Sequence, residues 1–322
     1  MKYQKHLFRT IGLIIFIYIL FKIDLKSIAN LFVNSNIILI LILLIISMFF
    51  FFFLRTIKWY VLLKSQKITV PFKELFLMFS ASFFLSSTMP GRLGDIVRVF
   101  QINKKGHSIG KSFVSVIIDR VQDVIFLLVL GLIALFYFST LFSKSTIYLS
   151  ILFLAVIIGF ILLFFMKKGT INFFKKIMSF FIPKKFKKSL SVILDDLFYD
   201  IKKMNFSTLL LSVFLTIFSW FSYYFLLFLI ALEIGINISF FNLVIFMGIV
   251  SLVTILPLSF SGIGTRDAVL IIMFKHIGLT SELAVAYSTI ILITYLIGMG
   301  IGLGALLIRP MEISRNGKYL NE

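Results

Sequence analysis

The sequence predicts an all-α, polytopic membrane protein, and three observations support this class. Hydrophobic residues make up 60% of the 322 residues and the mean hydropathy is +1.10, whereas soluble domains are less than half apolar. Several apolar runs exceed the roughly 18 residues that cross a bilayer. The charges, which sum to +19, lie mostly between those runs, as in loops that contact anionic lipid. We therefore expect a single integral membrane domain over residues 1–322 and no nucleic-acid partner.

The composition also excludes several kinds of site. The chain has no cysteine, which excludes disulfides, iron–sulfur clusters and Cys-ligated zinc. Its three histidines, His6, His107 and His276, are scattered and form no metal-binding spacing. We therefore predict neither a metal site nor a cofactor.

The apolar segments and the basic loops between them predict the topology. Loops 55–73, 98–111 and 167–203 are rich in Lys and Arg and should be cytoplasmic, whereas 139–146 and 232–239 carry almost none and should face outward. Both termini should then be cytoplasmic, in a multi-pass protein of the inner (cytoplasmic) cell membrane. The segments run over 7–25, 36–57, 74–90, 113–140, 146–166, 207–231, 240–257, 264–279 and 283–308.

This topology requires two re-entrant helical hairpins. Segment 74–90 begins inside and the chain is inside again by about residue 104, whereas 240–279 must enter and leave from outside. The prediction is about six full spans plus two hairpins, or some eight membrane helices. Residues 1–140 and 146–308 then form an inverted-topology repeat, and broken helices at matching positions in such repeats indicate a transporter binding site. Eight or nine ordinary, kinked spans are the alternative.

The basic stretch 167–206 is predicted to be a cytoplasmic loop with an amphipathic helix. Apolar residues recur at helical spacing between Leu190 and Ile201, and lysines flank them. We expect this helix to lie on the inner membrane surface.

The first charged turn follows segment 74–90 directly. A charge at the bilayer centre costs about 2.5–3.5 kcal/mol, so such residues are kept where they pair or meet water or substrate. Irregular backbone at that depth must line a cavity or be buried in protein. A helix that restarts near Leu93 would point its positive end, with a guanidinium, at an anion. The turn residues are Pro90, Gly91 and Gly94, and the charged residues are Arg92, Asp95 and Arg98.

The second charged turn has the same parts in the second half of the chain. Pro257, Gly262 and Gly264 break the helix, and Arg266 and Asp267 carry the charges. If the repeat is real, the arginines of the two turns approach the midplane from opposite sides.

A third group begins the fourth segment. Asp119 and Asp123 are four residues apart and share a helix face, with Arg120 between them. They are candidates to neutralise the arginines of the first turn or to carry a coupling ion. The plainer interpretation of all three groups is structural, as Arg–Asp pairs that hold the hairpins in place.

The order of these motifs resembles the lysylphosphatidylglycerol synthase transmembrane-region family, also called the flippase-like domain family, over roughly residues 5–310. The motifs are Pro-Gly-Arg-x-Gly-Asp-x-x-Arg at 90–98, Asp-Arg-x-x-Asp at 119–123 and Ser-Gly-x-Gly-Thr-Arg-Asp at 261–267. Both turns carry Asp where the family often has Glu. The resemblance implies an inner-membrane protein that translocates a lipid. It implies substrate binding by Arg92, Asp95, Arg98, Arg266 and Asp267, and secondarily by Asp119, Arg120 and Asp123.

In bifunctional members the membrane domain flips a phosphatidylglycerol aminoacylated by a fused synthase. We expect no aminoacylation by this chain, which ends at Glu322. The expected substrate is an anionic phospholipid or a polyprenyl-phosphate-linked glycan, and the protein is expected to be a transporter rather than an enzyme. The alternatives are a membrane glycosyltransferase, with Asp24 as its base, and an accessory subunit of a lipid- or glycan-modifying enzyme.

Overall fold

The computed structural model describes residues 15–19, 21, 24–88, 94–138, 148, 151, 155, 204–255 and 262–309, and this part of the chain is all-helical. Three of its helices, Ile37–Ser65, Phe206–Glu233 and Ser281–Ile308, are long and apolar enough to cross a membrane. The helices are α1 (Leu25–Val33), α2 (Ile37–Ser65), α3 (Phe72–Thr88), α4 (Val97–Asn103), α5 (Ile109–Tyr137), α6 (Phe206–Glu233), α7 (Phe240–Ile255), α8 (Thr265–His276) and α9 (Ser281–Ile308).

Seven of the predicted segments correspond to helices in this part of the chain, within a few residues at each end. Most of segments 7–25 and 146–166, and the amphipathic helix of the basic loop, lie outside the described residues. One boundary differs in an important way. The predicted basic loop 55–73 is helical as far as Ser65, because α2 continues well beyond its apolar run.

Helices α3 and α4 form an antiparallel pair, here called the first hairpin. Gly94 lies directly against the end of α3, since a Cβ atom there would overlap the backbone of Leu85 and Ser86. The end of the hairpin away from the turn is here called its open end. There Glu74, in the first turn of α3, forms an ion pair with Lys105, just after α4. The chain therefore returns to the end of the molecule from which it started.

Helices α7 and α8 form a second antiparallel pair, here called the second hairpin. Gly262 has φ +80°, a conformation that glycine adopts readily, and a Cβ atom there would lie 2.6 Å from Thr254. Farther from the turn, the rings of Phe246 and Phe274 pack with centroids 5.8 Å apart. At both breaks that the sequence predicted, the described helices on either side therefore run antiparallel.

The two hairpins open at opposite ends of helix α5. The first hairpin ends at Lys105, immediately before α5 begins, whereas Phe138 follows the last residue of α5. The Phe138 ring contacts Phe246 at 5.4 Å and His276 at 5.2 Å, near the open end of the second hairpin. A 29-residue helix is about 43 Å long, so the two open ends are far apart.

Close helix packing holds the hairpins to the long helices: α3 packs against α9, α7 against α5, and α2 against α6. Two of the four alternating glycines of α9 lie at such an interface. A Cβ atom at Gly298 or Gly302 would overlap α2 or α3, but nothing lies within 4 Å of Gly300 or Gly304. Small residues at a helix interface allow this close approach.

Candidate functional site

Seven charged side chains converge where the turn of the first hairpin meets α2 and α5. We call this group the buried charge cluster. It brings together the charged residues that the sequence predicted on the first turn and on α5, apart from Arg92, and adds two from α2. Its members are Arg55 and Lys58 of α2, Asp95 of the hairpin turn, Arg98 of α4, and Asp119, Arg120 and Asp123 of α5.

The two carboxylates of α5 form the centre of the cluster. Asp119 lies 2.9 Å from the Lys58 ammonium and accepts a hydrogen bond from Arg98 at 3.1 Å. Asp123 accepts two parallel hydrogen bonds from Arg55, and Lys58 also donates to it at 3.3 Å. Paired hydrogen bonds of this type fix both partners geometrically and are among the strongest in proteins.

Asp95 connects the hairpin turn to α5. Its Oδ1 atom accepts a hydrogen bond from Nη2 of Arg120 at 2.8 Å, and Nη2 of Arg98 lies 3.4 Å from the same oxygen. Gly94 precedes it and fits against α3 without room for a side chain. The acid is therefore positioned by a turn that only glycine allows.

Burial makes the cluster costly unless its charges are paired. The side chains of Lys58, Arg98 and Asp119 are fully buried, whereas the side chain of Arg120 is 29% exposed. Four cations face three carboxylates, so one positive charge has no carboxylate of its own within the cluster. Removing one partner of a buried pair costs about 3–5 kcal/mol, because the other charge is left unpaired.

Aromatic rings enclose the cluster on two sides. The guanidinium of Arg98 lies 5.1 Å from both the Trp59 and the Phe79 ring centroids. That of Arg55 lies 5.9 Å from the Trp220 ring. A guanidinium at these distances is attracted to the ring face. Since the sequence contains two tryptophans, both indoles report on this cluster.

Three residues predicted at the first turn lie outside the described residues: Pro90, Gly91 and Arg92. Their contribution to the site stays a prediction. Arg92 lies close in sequence to Asp95, so it is connected to the cluster by a very short length of chain.

The turn of the second hairpin holds Arg266 and Asp267, which are also buried. Arg266 Nε donates to the Ser288 hydroxyl of α9 at 2.7 Å. Asp267 accepts a hydrogen bond from the backbone N–H of Gly264 at 2.6 Å, which satisfies an unpaired donor at the start of α8. Asp267 thus has a structural task that the sequence reasoning did not assign. Pro257 lies outside the described residues.

Aromatic side chains lie between the turn of the second hairpin and the buried charge cluster. Phe51 lies 5.4 Å from the guanidinium of Arg55 and 5.3 Å from the ring of Tyr223. Tyr223 in turn is within electrostatic range of Arg266. Aromatic side chains of α2 and α6 therefore lie between the buried charge cluster and Arg266.

The sequence reasoning missed Arg55 and Lys58, which it placed in a cytoplasmic loop. Their exposed fractions are 2% and 0%. Positive charges between apolar runs normally indicate a loop, but the partners that allow their burial are 65 and 68 residues away on α5. The available signal was their spacing of three on one helix face, with no Gly or Pro between them and the preceding apolar run.

The comparisons with known proteins agree with the helical architecture. A family model described as "Lysylphosphatidylglycerol synthase TM region" matches residues 9–302. No curated protein matches the chain. Among the described residues, no three His, Cys, Asp or Glu side chains are grouped as metal ligands would be.

Proposed function

The chain belongs to the lysylphosphatidylglycerol synthase TM region family, and we propose that it translocates an anionic lipid across the cytoplasmic membrane. The family and the apolar helices support a membrane protein with a lipid-related function. The proposed substrate is an anionic phospholipid or a polyprenyl-phosphate-linked glycan, with its head group bound by arginines at the two hairpin turns.

One observation carries this proposal: a buried charge cluster with an excess cation lies at a helix break inside a membrane protein. Ionisable groups in the membrane interior are costly and mark substrate or ion pathways. Guanidinium groups suit phosphate, which accepts their paired donors. The excess positive charge supports an anionic rather than a cationic or neutral substrate.

The packing supports an inverted repeat that alternates access to this site. The four helices α2–α5 of the first half correspond in order to the four helices α6–α9 of the second half. Most pairs of helices that are in contact in one half have a corresponding pair in contact in the other. The contact of α3 with α9 becomes that of α7 with α5, and the contact of α4 with α5 becomes that of α8 with α9. The hairpins also open at opposite ends of α5. Transporters with such repeats bind their substrates at the repeat interface.

The basic loops support an assignment of the end of the molecule that faces the cytoplasm. Glu74 pairs with Lys105 and, at 2.7 Å, with Arg309 after α9. At the other end of the molecule, the backbone N–H of Asn36 donates to Glu233 at 3.0 Å. Because the end near Lys105 carries the basic loops, we propose that it is cytoplasmic.

A membrane glycosyltransferase finds little support at Asp24, its candidate base. This exposed carboxylate caps α1, accepting hydrogen bonds from Lys26 N–H at 2.9 Å and the Ser27 hydroxyl at 2.7 Å. The bond from Ser27 lowers the pKa of Asp24 below its usual value, and a less basic carboxylate is a poorer general base. We therefore propose a transporter rather than an enzyme, with a lipid- or glycan-modifying enzyme as its candidate partner.

Leaflet exchange in liposomes tests the proposed function. We expect the purified protein to exchange one class of labelled lipid from a panel of anionic phospholipids and a polyprenyl phosphate. Arg120→Gln and Arg266→Ala should each slow exchange at least about tenfold, since truncating a partner of a charged pair costs several kcal/mol. Lys275→Gln, which removes an exposed cation of α8, is the matched control. Exchange that is unaffected by both arginine variants, or no exchange of any lipid, would contradict the proposal.

A further inference from the structure

Asp95 differs from the other two acids of the buried charge cluster in its position. Asp119 and Asp123 lie on the long helix α5, and each contacts cations of α2. Asp95 lies instead on the hairpin turn and contacts Arg98 and Arg120. It is therefore the carboxylate of the cluster that moves if the hairpin turn moves relative to α5.

The partner of Asp95 on α5 is also the member of the cluster that an incoming ligand can reach. Arg120 is 29% exposed, while the side chains of Asp95 and Asp123 are 6% and 7% exposed and that of Arg98 is fully buried. Arg120 is therefore the first cation of the cluster that an approaching anion would meet. Its guanidinium is the group that pairs with the Asp95 carboxylate.

Hydrogen-bond donors remain unused at the same place. Within the described residues, Nε and Nη1 of Arg98 and Nε of Arg120 are buried and have no hydrogen-bond partner. A carboxylate offers two oxygens to these two guanidinium groups, whereas a terminal phosphate offers three. Buried donors without acceptors are costly, so a ligand that supplies an additional acceptor gains binding energy here.

Building on the proposed function, we propose that the Asp95 carboxylate fills the anion site while no substrate is bound. A phosphomonoester head group then displaces this carboxylate from Arg98 and Arg120. With Asp95 displaced, the four cations of the cluster face two carboxylates, which leaves two positive charges. A phosphate monoester carries about two negative charges above its second pKa of about 6, whereas a phosphodiester carries one. The cluster therefore selects a lipid with a terminal phosphate over a phosphodiester, and the exchange frees the hairpin turn from α5. Of the substrates proposed above, this favours an anionic phospholipid with a phosphomonoester head group over a polyprenyl-phosphate-linked glycan.

Binding to the purified full-length protein at pH 8 tests this exchange, with indole emission and thermal stabilisation as readouts. The probes are a short-chain alkyl phosphate, its methyl diester and inorganic phosphate. The wild type should bind the monoester more tightly than the diester. Asp95→Asn removes the competing carboxylate and should bind the monoester about tenfold more tightly. Asp95→Glu keeps the carboxylate and should bind like the wild type, and Asp24→Asn is the control for loss of an exposed acid.

Equal or weaker monoester binding by folded Asp95→Asn would overturn the inference, since a merely structural Asp95 predicts that sign. Should Asp95→Asn not fold, Arg120→Gln decides: it should lose the preference for monoester over diester, and a retained preference would also overturn the inference. Inorganic phosphate that binds as tightly as the alkyl phosphate would exclude a lipid head group as the source of the phosphate. The proposed function fails separately, if the wild type binds the monoester as expected and yet exchanges no lipid between leaflets.

Discussion

Asp119→Asn should be one of the most destabilising single substitutions in the protein, because three cations share this carboxylate. Lys58 lies 2.9 Å away, Arg98 3.1 Å and Arg120 4.0 Å. Asparagine preserves the shape but leaves the cluster with four cations and two carboxylates. The expected loss in the free energy of unfolding is about 3–5 kcal/mol, which lowers the folded-to-unfolded ratio by roughly two to nearly four orders of magnitude.

Denaturation of the protein in mixed micelles, followed by indole fluorescence, measures this loss. The two tryptophans lie against arginines of the cluster, so their emission reports its disruption directly. Glu282→Gln, at a partly exposed acid in the first turn of α9, is the matched control and should change stability by less than about 0.5 kcal/mol. If Asp119→Asn stays within that limit, the ion pairs do not stabilise the fold and the energetic reasoning is wrong.

Two further predictions concern the packing of the helices and the ion pairs at the open end of the first hairpin. Gly302→Ala should destabilise the protein by about 1–3 kcal/mol, because the new methyl group would overlap α3. The control Gly300→Ala, in the same helix, should be neutral, because nothing lies within 4 Å of it. Thermal denaturation of both variants tests this, and equal effects on stability would contradict the prediction. Hydrogen bonds from Lys105 and Arg309 lower the pKa of Glu74 below its ordinary value of 4.5, so the stability they give is present above pH 4.5 and is lost as the pH falls through the lowered pKa. The stability difference between wild type and Glu74→Gln, at most about 1 kcal/mol, should vanish on acidification, and a difference that persists at low pH would refute the assignment.

The sequence predicted the helices well where the physical signal is local. Apolar runs set the extents of α6 and α9, and the glycines near residues 94 and 262 marked both hairpin turns. The local pattern gave the wrong location for Arg55 and Lys58. Hydropathy and charge are read from neighbouring residues in sequence, so they do not include partners that lie far away along the chain. Desolvating those cations is offset by Asp119 and Asp123, which are brought close only when α5 packs against α2. A local pattern cannot represent this compensation.

At Asp267 the sequence pattern suggested a function, but the structure shows a structural contact. The place of Asp267 in a charged turn suggested substrate binding, but its carboxylate accepts the Gly264 N–H at 2.6 Å. Gly264 has φ +81°, so the helix after the turn starts from a left-handed residue whose N–H points back into the protein. A short acid three residues later is well placed to accept that hydrogen bond. Motif similarity between the two turns therefore concealed different tasks for their acids.

The two halves of the protein correspond in their packing but not in their charge. The Arg98–Asp119 contact between α4 and α5 has its counterpart in the Arg266–Ser288 contact between α8 and α9, where a hydroxyl replaces the carboxylate. Arg266 also has an acid close by, since Asp267 lies within electrostatic range of it. The two guanidinium groups therefore occupy corresponding places in the packing, but the long helix that follows each hairpin contributes an acid in one case and a hydroxyl in the other.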